Sequence, residues 1–255
     1  MPDSAALHRR NQSDTPMKQK VLLTESKLLD MKVIKLSDWK SIGDIISFVP
    51  SQPSYVYCEL PATNLLDIHQ LEQAGYHFSE FRIKSTLNTA DAEYSTRAYY
   101  PFIAEIITEK VLRNQAISLL SQNTCDDRFS NDLAIPTDFA LKRNIHNLKK
   151  SFRAWPNEFL LGIFNAHSPE LVAFRSGSIF NKSEAQLFQY GISPNADFNH
   201  TADMLEAFTI QYLKTQGVQY IHAVSTAFNI AELNRLTQNH GFKMVSSHVL
   251  LRKVF

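Results

Sequence analysis

The chain has 255 residues, of which 44% are hydrophobic and 17 are phenylalanine, so it can bury one large core or two smaller ones. Its 26 basic and 25 acidic residues are spread along the chain and give a formal net charge of +1, which argues against nucleic acid or a membrane surface as a partner. No run of about 18 apolar residues predicts a transmembrane helix, and the first 20 residues lack the apolar core of a signal peptide. We therefore expect a cytoplasmic protein in which residues 1–20 form a disordered polar tail.

The two cysteines, Cys58 and Cys125, are far apart in the sequence and match no metal-ligand spacing. Isolated thiols in a reducing compartment usually pack as small apolar groups. We therefore predict two free thiols and no metal site.

The first third of the ordered chain, residues 21–90, is predicted to be a small half-domain. Strands are expected at residues 55–60, before Pro61, and at residues 78–84. A helix at residues 65–74 separates them, and Gly75 is the expected stop. Residues 32–48 show no clear period. The polar stretch at residues 88–96 is predicted to be a linker, so the second domain would span residues 91–255.

The second domain begins with two predicted helices. The first covers residues 108–123, and Asp138 is expected to cap the second, which runs to about residue 153. The charged loop between them contains Asp126, Asp127, Arg128 and Phe129. Such a loop is either a solvated turn or part of a substrate pocket.

Three strands follow, at residues 158–164, 170–180 and 185–193, and the short polar segments between them predict tight turns. This spacing is typical of an antiparallel meander.

Residues 185–242 alternate between strand and helix. Pro194 ends the last strand of the meander, Thr201 is expected to be a helix N-cap, and Gly217 is the expected stop of that helix. A strand at residues 218–224 and a helix at residues 230–239, closed by Gly241, complete the segment. This order predicts a parallel crossover in which the N-terminus of a helix opens at the carboxyl end of a strand, a position that binds anions.

Residues 61–84 and 225–253 resemble each other. Each has an asparagine, a helix with leucine and glutamine, a glycine followed by an aromatic residue, and a strand that ends in a basic residue. The matched positions are Asn64, Leu71, Gly75 and Tyr76 with Asn229, Leu236, Gly241 and Phe242. Either a structural repeat or shared capping chemistry explains the similarity.

The order of these elements, the ending Ile192-Ser193-Pro194 and the segment 224–242 resemble the GNAT acetyltransferase superfamily. Within it, the chain is similar to the TDP-fucosamine acetyltransferase group, through LEQAGY at residues 71–76, the pair Arg128-Phe129, and the pair Ser246-Ser247 in an expected last hairpin. The resemblance spans about residues 55–255. It implies an α/β fold, with helices and a mixed α+β sheet, and an N-terminal GNAT-like half-domain.

The resemblance also implies the activity and its site. The expected reaction is transfer of an acyl group from acetyl-CoA, or another acyl-CoA, to the amine of a small acceptor such as a nucleotide-linked amino sugar. The residues implied for the donor are Gly191, Ile192 and Ser193 at the pantetheine arm, Asn199, His200, Thr201 and Ala202 at the pyrophosphate, and Asn229 at the proximal end of the cofactor. The acceptor site would include Asp126, Asp127, Arg128 and Phe129.

Two departures from the family pattern affect these expectations. The family's pyrophosphate loop, Gln/Arg-x-x-Gly-x-Gly/Ala, corresponds to Asp197, His200 and Ala202, and only Ala202 conforms. Asp197 places a negative charge beside the expected phosphates, which a protonated His200 would partly offset. The family's tyrosine acid corresponds to Thr237 when the segment is aligned back from Gly241, and to Leu236 when it is aligned forward from Asn229. A threonine hydroxyl hardly ionises, and it could at most donate a hydrogen bond to the sulfur or orient a water. We therefore name Thr237 and His222, in the predicted fifth strand, as catalytic candidates.

An alternative keeps the fold and changes the donor. An acyl chain on a carrier protein needs no pyrophosphate loop, and the basic residues of the second predicted helix could dock an acidic carrier; they are Lys142, Arg143, Lys149, Lys150 and Arg153. A catalytically degenerate binding or regulatory module is the other possibility. A homodimer could form through strand edges after Gly241.

Overall fold

A computed structural model describes residues 17–92, 96–122, 127–152 and 157–255. The strands are β1 Lys18–Val21, β2 Lys32–Ser37, β3 Ser54–Pro61, β4 His77–Asn88, β5 Phe102–Ile106, β6 Glu158–Asn165, β7 Leu171–Phe180, β8 Glu184–Ile192, β9 Tyr220–Thr226 and β10 Lys243–Val254. The helices are α1 Leu23–Leu29, α2 Ile42–Ile46, α3 Leu65–Gln73, α4 Lys110–Gln122, α5 Phe139–Ser151, α6 Phe198–Thr215 and α7 Ile230–Asn234, which a π-helical turn at Arg235–Asn239 extends.

The ten strands form one mixed sheet in the order β1-β2-β3-β10-β4-β9-β8-β7-β6-β5. Neighbouring strands are antiparallel except for β2 with β3 and β8 with β9, which are parallel. The mixed α+β fold, the β6–β7–β8 meander and the β8–α6–β9 crossover are therefore confirmed.

Helices cover both faces of this sheet. Successive side chains of a strand point to opposite faces: Leu161 packs in the cluster with Leu205 of α6, while Leu160 packs with Leu120 of α4 and Leu148 of α5. The helix α3 shares the face of α6, and α1 shares the face of α4 and α5.

The start of α6 differs from the prediction. Its N-cap is Asp197, whose carboxylate accepts the His200 N–H at 3.1 Å, so Thr201 is not the cap. Thr201 lies in the first turn and is buried. A carboxylate placed three residues before the His200 N–H satisfies a free donor of the helix end, and the helix therefore begins one turn earlier. The helix stops at Gly75, Gly217 and Gly241 are confirmed, since all three glycines have positive φ.

The hairpin expected at the C-terminus is wrong. Residues 243–254 form the single strand β10, which lies between β3 and β4 and is hydrogen-bonded to both. Because β4 from the N-terminal segment supplies the neighbouring strand, the chain does not fold back on itself. The edges of the sheet are β1 and β5, so β10 has no free edge that could pair with another chain. The homodimer itself stays a prediction.

The N-terminal segment contains more regular structure than its sequence indicates. β1 begins at Lys18, within the predicted tail, and residues 32–48 form β2 and α2. In the predicted linker, Thr89 is buried and its side chain donates to the Val218 carbonyl at 2.7 Å. The division of the chain at residue 90 stays a prediction.

Cys58 is buried and free, and burial raises the pKa of its thiol to about 12. Cys125 lies outside the described residues. Among the described residues, no helix is long and apolar enough to cross a membrane.

Candidate functional site

The parallel strands β8 and β9 separate along their length. Their ladder has three residue pairs, from Glu184–Tyr220 to Gln186–His222, although the strands continue to Ile192 and Thr226. At the last pair the Gln186 side chain donates to the His222 carbonyl at 3.2 Å. Beyond it, two strand edges face each other, and their backbone groups can bind an extended ligand.

A β-bulge in β8 lies at this separation. Arg175 of β7 pairs with Tyr190, and Gly177 pairs with Leu187, so Phe188 and Gln189 both stand opposite Ser176. The Ser176 hydroxyl donates to the Gln189 carbonyl at 3.1 Å. A bulge bends its strand, and here it accompanies the divergence of β8 from β9.

A cavity of about 600 Å³ opens at the separation. It is lined by residues of β4, β8, β9 and α5, by the starts of α6, α7 and β6, and by the end of α4. The residues that carry its chemistry are Glu80, Arg82, Asp127, Arg143, Lys150, Tyr190, Asn229 and Glu232.

Ion pairs organise the charges of the cavity. Arg82 donates to Glu80 at 2.8 Å, and Arg143 contacts Asp127 at 3.5 Å. Glu80 is only 4% exposed, and burial raises its pKa even though Arg82 acts in the opposite direction. A carboxyl group with a raised pKa is suited to accept a proton near neutral pH.

Tyr190 lines the cavity and lies beside two buried arginines. The guanidinium carbon of Arg175 is 4.7 Å from the centre of the tyrosine ring, and that of Arg235 is 5.7 Å away. Arg175 forms a fully buried ion pair with Glu206 of α6, and burial lowers the Arg175 pKa to about 10. The Nε and Nη2 atoms of Arg235 have no hydrogen-bond partner among the described residues.

No protein-family model matches the chain, and no curated protein matches its sequence. Solved structures do resemble it. A GCN5-related N-acetyltransferase from Sphaerobacter thermophilus has a TM-score of 0.62 and 13% identity, over 92% of this chain and 76% of the other. One from Kribbella flavida has a TM-score of 0.59 and 10% identity, over 93% and 90%. The chain has the GNAT fold. The glucosamine N-acetyltransferase region of a fungal multi-domain beta-N-acetylglucosaminidase is also similar, with a TM-score of 0.60 and 10% identity, over 93% of this chain and 31% of the other. The likeness to the TDP-fucosamine group stays a prediction.

In this GNAT fold, Asp127 and Asn229 are the two site residues predicted from the sequence that line the cavity. Asn229 caps α7, because its side-chain oxygen accepts the Glu232 N–H at 3.1 Å. Gly191 and Ile192 lie on β8 at the separation, and Ser193 follows them. A Cβ at Gly191 would lie 2.5 Å from the Phe174 ring, so packing also requires glycine there.

The first turn of α6 fits a pyrophosphate poorly. The Asp197 carboxylate already accepts the His200 N–H, and a phosphate at this position would face its negative charge. Thr201 and Ala202 are buried, and Asn199 is exposed. The residue of this turn that reaches the cavity is Phe198.

The other predicted residues lie elsewhere in the GNAT fold. The Arg128 guanidinium carbon is 4.0 Å from the centre of the Tyr57 ring, and Phe129 is 1% exposed, so this pair packs in the core and does not line the cavity. Asp126 lies outside the described residues. The Thr237 hydroxyl donates to the Leu233 carbonyl at 2.7 Å, within its own helix.

His222 lies on β9 outside the cavity lining. Its Nδ1 is 2.9 Å from the Thr86 hydroxyl and its Nε2 is 3.2 Å from Glu184. Catalytic roles for His222 and Thr237 stay predictions. Glu80, Arg82 and Tyr190 line the cavity but were not predicted from the sequence. The spacing of Glu80 and Arg82, two residues apart on a strand, was the available sign that both face one side of the sheet.

Among the described residues, no group of three or more His, Cys, Asp or Glu side chains could hold a metal ion.

Proposed function

We propose that the protein is an N-acyltransferase that moves an acyl group from an acyl-CoA to the amine of a small acceptor, such as an amino sugar. The observation that carries this proposal is the separation of β8 and β9 into a cavity that presents Glu80 and Tyr190. The similar structures named as N-acetyltransferases support it through the fold.

The donor would enter between β8 and β9. An extended amide-containing arm suits two strand edges whose backbone groups face each other, at Gly191 and Ile192 on one side and the end of β9 on the other. Asn229 lines the same cavity. The diphosphate would be held away from Asp197, because that carboxylate repels it.

The reaction needs two proton transfers. The amine nitrogen attacks the thioester carbonyl and loses a proton, the carbon–sulfur bond breaks, and the sulfur leaves with the electron pair and takes up a proton. In this proposal Glu80 accepts the amine proton and the Tyr190 hydroxyl gives a proton to the sulfur; both residues line the cavity. The nearby guanidinium groups of Arg175 and Arg235 stabilise the phenolate until solvent reprotonates it.

Binding of acetyl-CoA tests the proposal. A ligand at 100 times its Kd stabilises the native state by about 2.7 kcal/mol, which is measurable as a rise in Tm. Val224 is half-exposed and lines the cavity. The variant Val224→Trp should abolish the rise in Tm. The matched control Val245→Trp changes an exposed residue of β10 outside the cavity lining and should keep the rise. No rise in Tm of the wild type at millimolar acetyl-CoA would refute the proposal.

A donor carried by an acyl carrier protein is the second candidate, and the Asp197 carboxylate at the α6 start favours it, because such a donor brings no diphosphate. Lys149 and Lys150 close α5, and Lys150 lines the cavity. The double variant Lys149→Glu/Lys150→Glu should lose turnover of an acyl carrier protein donor. Unchanged turnover would eliminate this candidate. Donor binding without turnover of any amine would instead indicate a binding module.

A further inference from the structure

Three basic side chains of the N-terminal segment converge on one carboxylate beside the cavity. Lys35 of β2, and Lys84 and Arg82 of β4, form what we name the cationic rim. Their nitrogens lie 3.2, 3.4 and 3.9 Å, respectively, from the carboxylate oxygens of Glu59. Glu59 is central to the rim and only 12% exposed.

The rim carries more positive than negative charge. Its three cations face two carboxylates, Glu59 and the Arg82 partner Glu80, so the surplus falls on the two lysines. Both lysines remain accessible, at 34% and 41% exposure. Burial favours the neutral form of Glu59, yet the three cations together hold its pKa below the ordinary value.

His248 of β10 is the titratable group packed next to the rim. It pairs with Arg82 across the strands, and its Nδ1 atom is buried with no hydrogen-bond partner among the described residues. Burial and then the charge of Lys84 lower its pKa. The positive charges of the rim therefore extend from β2 to β4, and the buried Nδ1 atom of His248 lies beside them.

The cationic rim adjoins the cavity through Arg82. Arg82 belongs to both, since it lines the cavity and pairs with Thr226 of β9 in the sheet. Tyr190 and Glu232 line the same cavity. Glu80, which we propose accepts the amine proton, is the ion-pair partner of Arg82, so an amine at Glu80 would lie next to the rim.

We propose that the cationic rim binds an anionic group, a phosphate or a carboxylate, on the acceptor whose amine reaches the separation of β8 and β9. This inference rests on the proposed function and specifies its substrate class as an amine that also carries an anionic group. The phosphates of the donor are a less suitable occupant, because the donor passage lies between β8 and β9 and the rim lies on β2 and β4.

Three related amines test the inference by calorimetry, with and without coenzyme A: glucosamine, glucosamine 6-phosphate and glucosaminic acid. At least one anionic amine should bind tenfold or more tightly than glucosamine, and the better of the two identifies phosphate or carboxylate as the preferred group. The same order should appear in kcat/KM for acetyl transfer. Equal affinity of all three amines would overturn the inference.

Variants separate the rim from general charge effects. Lys35→Gln/Lys84→Gln should remove the preference for the anionic amine. Lys18→Gln/Lys182→Gln, which removes two exposed lysines that belong neither to the rim nor to the cavity lining, should keep it. Glu59→Gln should strengthen binding of the anionic amine several-fold, because it removes the carboxylate that competes for the lysines. A purely structural role for this network predicts weaker binding in Glu59→Gln and would overturn the inference.

Failure of the inference is distinguishable from failure of the proposed function. The affinity for coenzyme A should be unchanged in Lys35→Gln/Lys84→Gln, and a parallel loss would assign the rim to the donor. If the wild type binds no acetyl-CoA, the proposed function fails, while the calorimetry without coenzyme A still tests the rim.

Discussion

The buried ion pair between Arg175 of β7 and Glu206 of α6 yields a sharp stability prediction. The two side chains are 2% and 0% exposed, and they join the central sheet to the helix that covers it. In Arg175→Met, the Glu206 carboxylate would remain in an apolar core without its partner. Removal of one member of a buried pair costs about 3–5 kcal/mol, and loss of the Arg175 hydrogen bond to the Phe188 carbonyl adds about 1 kcal/mol.

Urea unfolding followed by far-UV circular dichroism measures this cost. The double variant Arg175→Met/Glu206→Gln should recover most of the loss, because the uncompensated charge is gone and a neutral amide replaces it. As a control, Lys18→Met breaks the exposed pair with Asp38, where the side chains are 64% and 54% exposed, and should change the free energy of unfolding by less than about 1 kcal/mol. A loss below about 1 kcal/mol in Arg175→Met would refute the reasoning.

Three further predictions concern catalysis and pH. Glu80→Gln should lower kcat about 10²–10⁴-fold. In the wild type, kcat/KM should rise as the pH increases through the Glu80 pKa, which burial holds above 4.5, and Glu80→Gln should remove this rise. A rise that persists in the variant would exclude Glu80 as the base. Tyr190→Phe should lower kcat by a similar factor, with little change in the KM for the donor. The control Tyr212→Phe, on α6 outside the cavity lining, should leave kcat unchanged. Equal rates in both variants would exclude Tyr190 as the acid. Burial lowers the His240 pKa below 6.5, so the unfolded chain takes up a proton at a higher pH than the folded chain does. The wild type should therefore lose stability as the pH falls below 6.5. The urea midpoint of His240→Asn should fall less steeply with pH, and the same dependence of the midpoint on pH in both proteins would contradict this assignment.

The elements that the sequence predicted well depend on contacts close in the chain. The meander β6–β7–β8 and the crossover from β8 through α6 to β9 follow from turn residues and periodicity within about 70 residues. The place of β4 between β9 and β10 could not be predicted in this way, because its partners lie far away in the sequence. The same long-range pairing made the expected C-terminal hairpin wrong.

The site residues likewise divide into those with a local sequence signature and those without one. Asn229 was predictable because a helix cap has a local signature, and Asp127 because it belongs to a charged loop. Arg128 and Phe129 are residue types typical of a binding pocket, but Arg128 is buried by cation–π packing against the Tyr57 ring. Glu80 and Tyr190 meet at one cavity only through the order of the strands, which no local pattern contains.

The position of β10 in the sheet determines when the cavity can form. β10 is synthesised after the nine other described strands, and it lies between β3 and β4, which are made long before it. β4 carries Glu80 and Arg82, so one side of the cavity lacks its hydrogen-bonded neighbour until β10 has been made. A nascent chain that does not yet contain β10 would therefore leave β3 and β4 with open edges, and the site would be completed only when β10 joins the sheet.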